Sequence, residues 1–265
     1  MKDIGKHIGW KLFKHRALSM AGIKHSLIMD VLSPQYSKHF YEEYANTPLT
    51  IANSIGCFFS PDTPSAFLRE IFVFKIYDRP GFSPCAGWSV ADVGAGHGDT
   101  TIYWAKCKKA RVTAFEPLKD AFDALQKNIS LNSIAVTSYN VVVGDGKKVS
   151  VIDSGGMMSS SSGGSIVDTV PLDSFVFDTL DLLKIDVEGF EALVLKGAAT
   201  TITQHRPKVI IETHSSQLAE ICDAVMSSHG YKLLWKIPTP SPMSPFPWSR
   251  KNTYWNRFYA PIPAS

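Results

Sequence analysis

Three glycines on alternate positions, Gly94, Gly96 and Gly98, follow a short apolar run that ends at Val93. A run of this length and character predicts a buried parallel strand. Glycines let the backbone approach a ligand closely, and a helix beginning near Thr100 would offer free N–H groups in its first turn. The stretch therefore predicts a platform for a nucleotide-like ligand.

The spacing of these glycines differs from that of dinucleotide-binding loops. The fingerprint G-x-G-x-x-G would need a third glycine at position 99, which is Asp99 here, so a nicotinamide cofactor is disfavoured. The chain has D-x-G-x-G-x-G instead, and its leading acid, Asp92, suits a ligand with a positive ammonium or sulfonium. A plain tight turn is the alternative interpretation. The pattern resembles motif I of the class I S-adenosylmethionine (SAM) methyltransferases, which implies a cofactor site built from Asp92, Gly94, Ala95, Gly96, Gly98, Asp99 and Thr100.

A second acid strengthens this interpretation. The segment 111–116 is predicted to be the next strand, and it ends in Glu116 followed by Pro117. A carboxylate at that place can accept hydrogen bonds from both ribose hydroxyls of a nucleoside. Glu116 also suits the start of a helix ahead of Pro117, and the two roles are compatible. We therefore assign Glu116 and Pro117 to the cofactor site.

Composition limits the class of protein. The chain has 265 residues, of which 45% are hydrophobic and 19% charged, as in a globular domain with a sizeable core. A net charge of +3 is too small to indicate nucleic-acid binding by itself. The four cysteines form no C-x-x-C pair, so we expect neither a zinc knuckle nor a disulfide framework, and we predict a cytoplasmic location. No apolar run suggests a membrane span or a signal peptide.

The N-terminal part carries basic residues at 2, 6, 11, 14, 16 and 24 against a single acid, Asp3, before Asp30. We favour a helix that packs its apolar stripe on the body of the protein. The alternative is an amphipathic helix that contacts an anionic membrane, or an acidic partner, through residues 1–25. Apolar residues between 65 and 77 predict a buried helix, and a proline- and glycine-rich joint follows at 80–84. We therefore predict a helical cap over 1–84 and a main domain over 85–265.

From residue 89 onward, strand and helix patterns alternate, which predicts a doubly wound, mainly parallel α/β sheet with helices on both faces. Strands are predicted at 111–116, 137–144, 181–189, 207–214, 231–237 and 257–262. Helices are predicted at 118–131, 190–204 and 216–229. The segment 154–165 is a Gly/Ser run that cannot contribute to a core, so we expect a mobile loop or, alternatively, a lid.

Ligands of open parallel sheets lie beyond the carboxyl ends of the strands. The predicted strand ends carry Gly144, Asp145, Asp186, Glu188, Glu212 and His214. We expect Gly144 and Asp145 near an adenine ring, and we also assign Asp186 to the cofactor site. Alternation in the strand 181–189 places Lys184, Asp186 and Glu188 on one side.

These residues suggest two kinds of catalysis. His214 or Asp186 could accept a proton from a hydroxyl, while Lys184 neutralises the acidic cluster or binds an anionic substrate. Alternatively, Asp186, Glu212 and His214 could hold Mg²⁺ or Mn²⁺, since an oxygen-rich set with one histidine suits these ions better than zinc.

Together these residues resemble the FkbM family of SAM-dependent methyltransferases. The resemblance covers roughly 89–214, and the run Lys184-Ile-Asp-Val-Glu-Gly-Phe-Glu191, continuing to Gly197, is its most specific part. It implies a Rossmann-like seven-stranded sheet with an antiparallel last strand. It also implies O-methylation of a hydroxyl, often on a sugar, lipid or natural product.

Two other functions fit the sequence. An RNA methyltransferase could use the basic N-terminal region, although base-stacking motifs are lacking. A SAM-binding subunit without catalysis is the other, and the presence of Asp92, Glu116, Asp186 and His214 argues against it. The sequence predicts neither the acceptor nor the oligomeric state.

Overall fold

A computed structural model describes residues 48–153, 158–160, 164–238 and 255–263. All of these belong to one compact unit, Thr47–Ser265. The basic N-terminal region and its predicted helices lie outside the described residues, as does most of the proline-rich stretch near 240. None of the helices described combines the length and the apolar character that crossing a bilayer requires.

The described residues form eleven strands. In chain order they are β1 (Ser89–Val93), β2 (Arg111–Phe115), β3 (Thr137–Tyr139), β4 (Val142–Val143), β5 (Lys148–Asp153), β6 (Met158–Ser160), β7 (Ser165–Val170), β8 (Leu182–Ile185), β9 (Lys208–Thr213), β10 (Tyr231–Pro238) and β11 (Trp255–Pro261). Seven of them make the main sheet, in the order β10-β11-β9-β8-β1-β2-β3. Strands β3, β2, β1, β8 and β9 pair in parallel, whereas β11 runs antiparallel to both of its neighbours. The predicted seven-stranded, mostly parallel sheet with an antiparallel last strand is confirmed.

Helical segments connect the strands. They lie at 48–54, Ser65–Leu68, Asp99–Ile102, Lys119–Asn132, Glu191–Gly197, Ala199–His205 and Ser216–Ser228, with π-helical turns at Arg69–Val73 and Tyr103–Cys107 and a 3₁₀ turn at Leu172–Ser174. The predicted helix 190–204 is thus two helices. They meet at Ala198, whose ψ of 10° departs from helical geometry.

Successive residues of a strand point to opposite faces of the sheet, and on both faces of the main sheet these side chains are buried under other elements. Val90 and Leu182 pack in one buried cluster, whereas their neighbours Ala91 and Leu183 pack in another. The first cluster also contains residues from the segment 52–82, which therefore packs directly on the sheet. The division between a cap over 1–84 and a domain over 85–265 stays a prediction, since most of the cap lies outside the described residues.

The predicted third strand, 137–144, is wrong in its extent. It divides into β3, at the edge of the main sheet, and β4, which joins a second sheet of order β4-β7-β5-β6. Between them, the Asn140 side chain donates hydrogen bonds to the carbonyls of Glu116 and Pro117, at 2.8 and 2.9 Å. This side-chain bonding turns the backbone away from the ladder, which a local apolar pattern cannot reveal.

The Gly/Ser run contains a strand that its composition does not predict. Residues Met158–Ser160 form β6 and pair antiparallel with β5. Backbone hydrogen bonds alone suffice for such pairing, which needs no apolar side chains. The parts at 154–157 and 161–163 lie outside the described residues, so the proposal of a lid stays a prediction.

Candidate active site

The glycine loop is held between two strands. The backbone N–H groups of Gly94 and Ala95 both donate to the carbonyl of Phe115 at the end of β2, at 2.9 and 3.0 Å. On the other side, a Cβ on Gly94 would lie 1.7 Å from the carbonyl oxygen of Asp186, and φ of Gly94 is +80°. Only glycine fits at this position. A Cβ on Gly96 would meet nothing within 4 Å, so the loop is open on its ligand-facing side.

Glu116 faces this loop. One carboxylate oxygen accepts a hydrogen bond from the N–H of Gly96 at 2.8 Å, and the other accepts one from the N–H of Leu118 at 2.9 Å. Burial raises the pKa of Glu116, and these two backbone hydrogen bonds oppose the rise. A carboxylate has about four acceptor positions, so Glu116 can accept further bonds from hydroxyl groups.

A buried ion pair supports the loop from beneath. The ammonium of Lys184 lies 3.0 Å from an oxygen of Asp92 and 3.5 Å from one of Asp186, and it donates to the carbonyl of Gly94 at 3.0 Å. Thr101 donates to the other oxygen of Asp92 at 2.7 Å. Burial opposes the charge of Lys184, yet the charges of Asp92 and Asp186 raise its pKa. Lys184 therefore positions backbone and carboxylates, and these contacts fit the first predicted alternative, neutralisation of the acidic cluster, better than binding of an anionic substrate.

A cavity of about 270 Å³ opens beside the loop. The predicted site residues that line it are Gly94, Ala95, Gly96, Asp99, Thr100, Glu116, Pro117, Lys184, Asp186, Glu212 and His214. Asp92 is buried below the cavity, and Gly98 packs against Leu125, where a Cβ would come within 2.5 Å of that side chain.

Gly144 and Asp145 are not brought to the cavity, contrary to prediction. Asp145 pairs with Lys196 at 2.8 Å, and Gly144 packs so closely that a Cβ on Gly197 would lie 1.7 Å from its carbonyl oxygen. The physical reason is the turn after β3, which sends the chain into the second sheet. Residues 141–143 line the cavity in their place.

Asp186, Glu212 and His214 meet across the ends of β8 and β9, as predicted. Nε2 of His214 lies 3.7 Å from Oδ1 of Asp186 and 4.0 Å from Oε1 of Glu212. One ligand atom from each of the three lies within 4.8 Å of the others. Glu188 reaches the same histidine, with Oε2 at 3.4 Å from Nε2. It does so through a turn with φ of +49°, because β8 ends at Ile185 and strand alternation does not extend to position 188.

Carboxylates surround His214. Nδ1 is hydrogen-bonded to Oε1 of Glu191, whose side chain is fully buried. Burial disfavours the charged imidazolium, but the hydrogen bonds to Glu188 and Glu191 and the charges of Glu212 and Asp186 outweigh it and raise the pKa of His214 to about 12. The ligand-free site thus stabilises positive charge at this position.

Several cavity residues were missed by the sequence reasoning. Phe67, Glu70 and Tyr77 enter the cavity from the segment predicted as a buried helix, and Tyr77 donates to Oδ2 of Asp186 at 3.4 Å. No local motif marks them, since Tyr77 and Asp186 lie 109 residues apart. The role of Glu191 beside His214 could have been predicted from the sequence, because Glu191 belongs to the family-specific run that begins at Lys184.

The family model for the FkbM methyltransferase domain matches residues 92–233, which is more than half of the chain. The chain belongs to the FkbM methyltransferase family. No curated protein sequence matches it significantly.

Several solved structures are similar to this chain. One is the methyltransferase FkbM from Methylobacillus flagellatus KT, at 20% identity and TM-score 0.46, over 82% of this chain and 60% of that one. A methyltransferase from Pyrococcus furiosus matches at 16% identity and TM-score 0.48, over 86% and 98%. A putative RNA methyltransferase from Pyrococcus horikoshii matches at 14% identity and TM-score 0.49, over 83% and 99%. This chain thus spans less than two thirds of the Methylobacillus flagellatus protein.

Membership of the FkbM family implies SAM as the methyl donor. The described residues fit such a group: Gly96 leaves space that a side chain would fill, and Glu116 offers a carboxylate to hydroxyls. Apolar side chains at 141–143 and Phe190 also line the cavity, and apolar lining of this kind suits a flat ring.

Proposed function

We propose that the chain transfers a methyl group from SAM to a hydroxyl of a sugar, lipid or other small acceptor. The observation that carries the proposal is the Glu116–Gly96 hydrogen bond on one side of a cavity whose other side holds Asp186 and His214. One side fits a nucleoside, and the other offers a proton acceptor, the carboxylate of Asp186. SAM supplies an electrophilic methyl group on a sulfonium.

The cofactor half rests on the glycine loop. Glu116 would hold the ribose hydroxyls, and the open backbone at Gly96 would allow close approach. Lys184 donates to the carbonyl of Gly94 and so holds the loop in place before any ligand binds. Fixing the two reactants in line is worth about 7–11 kcal/mol in well-oriented reactions.

The acceptor half lies at the ends of β8 and β9. Asp186 and His214 both face the cavity, and Asp186 can take the hydroxyl proton, which contributes roughly 10²–10⁴ in rate. His214, whose pKa is raised to about 12, stays protonated near neutral pH, so the predicted role of His214 as a base does not fit the ligand-free site. Tyr77 and Lys184 both contact Oδ2 of Asp186 and so orient this carboxylate.

The charges around the cavity support a small acceptor over RNA. Six carboxylates line it, from Glu70, Asp99, Glu116, Asp186, Glu188 and Glu212. The basic groups among its described lining residues are Lys184, His97 and His214. A polynucleotide would bring phosphates against this acidic wall, whereas a sugar or lipid hydroxyl carries no such charge.

The test uses SAM with a radiolabelled methyl group and separate pools of glycans, lipids, small metabolites and RNA. We expect label in one of the first three, in a product that resists alkali, because ethers survive conditions that hydrolyse methyl esters. Asp186→Asn should reduce the rate at least tenfold, whereas Asp145→Asn, outside the cavity, should not. Label confined to RNA, or released as methanol by alkali, would refute O-methylation of a small acceptor.

A further inference from the structure

We infer that Asp186, Glu212 and His214 form a binding site for one divalent cation of the Mg²⁺ or Mn²⁺ type. Two ligands that each lie about 2.1 Å from such an ion can be at most about 4.2 Å apart. Nε2 of His214 lies 3.7 Å from Asp186 and 4.0 Å from Glu212, so both distances are within that limit. The ligand atoms of all three residues lie within 4.8 Å of one another, so a side-chain shift of at most about 0.6 Å lets one ion contact all three.

The histidine ligand is oriented by a carboxylate behind it. Glu191 is fully buried, accepts the N–H of Gly189 at 3.1 Å and bonds Nδ1 of His214. A metal-bound histidine characteristically gives its second ring nitrogen to a carboxylate in this way. The bond turns Nε2 toward Asp186 and Glu212, which a histidine bonded only to backbone would not require.

The aspartate ligand is oriented as well. Tyr77 and Lys184 contact Oδ2 of Asp186, at 3.4 and 3.5 Å, and so leave Oδ1 on the side of His214. Each of these two ligands is therefore fixed by groups outside the ligand set. The excess of carboxylates around the cavity favours a cation, because buried carboxylates that are close together repel each other.

Glu188 provides the alternative explanation. Its Oε2 lies 3.4 Å from Nε2 of His214, so a protonated imidazole paired with Glu188 would occupy the same nitrogen without any metal. In the metal-bound state Nε2 of His214 contacts the cation, whereas in the metal-free state it contacts Glu188. The nature of that contact can be measured directly.

The cation would polarise an acceptor hydroxyl, a role that rests on the proposed function. Its binding does not rest on that function. The experiment therefore measures metal binding and binding of S-adenosylhomocysteine, the demethylated product of SAM, on the same samples.

The full chain, freed of metal with a chelator, is titrated with Mn²⁺ and followed by electron paramagnetic resonance. We expect one Mn²⁺ per chain, with a pulsed-resonance coupling to one imidazole nitrogen that His214→Gln abolishes. Asp186→Asn and Glu212→Gln should weaken binding at least tenfold, and Glu191→Gln about 10–100-fold. Glu70→Gln, which changes another carboxylate of the cavity, should alter the affinity less than twofold.

Absence of saturable Mn²⁺ binding, absence of the nitrogen coupling, or equal weakening by Glu70→Gln and Asp186→Asn would overturn the inference. Circular dichroism of each variant separates loss of ligand from loss of fold. If S-adenosylhomocysteine binds while Mn²⁺ does not, the metal site alone is wrong. If Mn²⁺ binds while S-adenosylhomocysteine does not, the proposed function fails and the metal site stands.

Discussion

The ammonium of Lys184 lies 3.0 Å from an oxygen of Asp92, with 3% and 0% of the two side chains exposed. The pair joins β8 to β1 directly beneath the glycine loop, because Asp92 and Lys184 are register partners in these neighbouring strands. Removing one member leaves the other charge buried and without its main counterion. The loop therefore depends on an ion pair whose acid, Asp92, is buried below the cavity.

We expect Asp92→Asn to lower the free energy of unfolding by about 3–5 kcal/mol, since an uncompensated buried charge is strongly destabilising. Urea denaturation measures the change. The control is Asp123→Asn, which breaks an exposed pair with Lys119 and should cost less than about 1 kcal/mol. Equal effects of the two substitutions would show that Lys184 does not need Asp92.

Gly94→Ala and Gly96→Ala should separate folding from binding. Both residues have positive φ, but only a Cβ added at Gly94 would collide with backbone, at 1.7 Å from the carbonyl oxygen of Asp186. We expect Gly94→Ala to cost more than about 3 kcal/mol of stability and Gly96→Ala only about 1 kcal/mol.

The second variant should instead lose affinity for S-adenosylhomocysteine, because its methyl group would occupy space on the ligand side of the loop. Thermal unfolding and calorimetric titration provide the two measurements. A strongly destabilised Gly96→Ala would contradict the open position of Gly96.

Asp99 should make stability depend on pH. Burial raises its pKa to about 6; the charge of Lys184 opposes this rise and that of Asp92 adds to it. The folded protein then binds this proton more tightly than the unfolded chain, in which an aspartate has a pKa of about 3.9. This group's contribution to stability therefore falls as pH rises from about 4 to 6 and stays lower above that range.

Asp99→Asn removes this effect. We expect the variant to be more stable than the wild type by about 1–2 kcal/mol at pH 8, since Asp99 is only partly buried, and equally stable at pH 3.5. Urea denaturation at both pH values tests this. A difference that does not change with pH would show that Asp99 titrates normally.

The sequence predicts the main sheet well, and it predicts that Glu116 lies beside the glycine loop. Because parallel strands end at one edge, the acid after β2 had to lie near the loop after β1, and Glu116 does contact Gly96. The same reasoning brought Asp186 to His214. These placements need only strand order and strand ends.

Other features depend on contacts between distant residues. Asn140 turns the chain out of the main sheet by bonding to backbone at Glu116, and this moves Asp145 away from the cavity. Tyr77 reaches Asp186 across 109 residues. Neither side chain belongs to a local pattern, so the second sheet and this wall of the cavity could be found only from the structure.

Calorimetric titration with S-adenosylhomocysteine tests most directly whether Glu116 and the glycine loop hold the nucleoside of the cofactor. We expect micromolar binding to the wild-type chain. Glu116→Ala should weaken it at least about tenfold, since hydrogen bonds to a charged group contribute about 1.5–3 kcal/mol. Asp145→Asn, outside the cavity, should bind as the wild type does. Unchanged binding by Glu116→Ala, or equal losses in both variants, would contradict the assignment of this cavity to SAM.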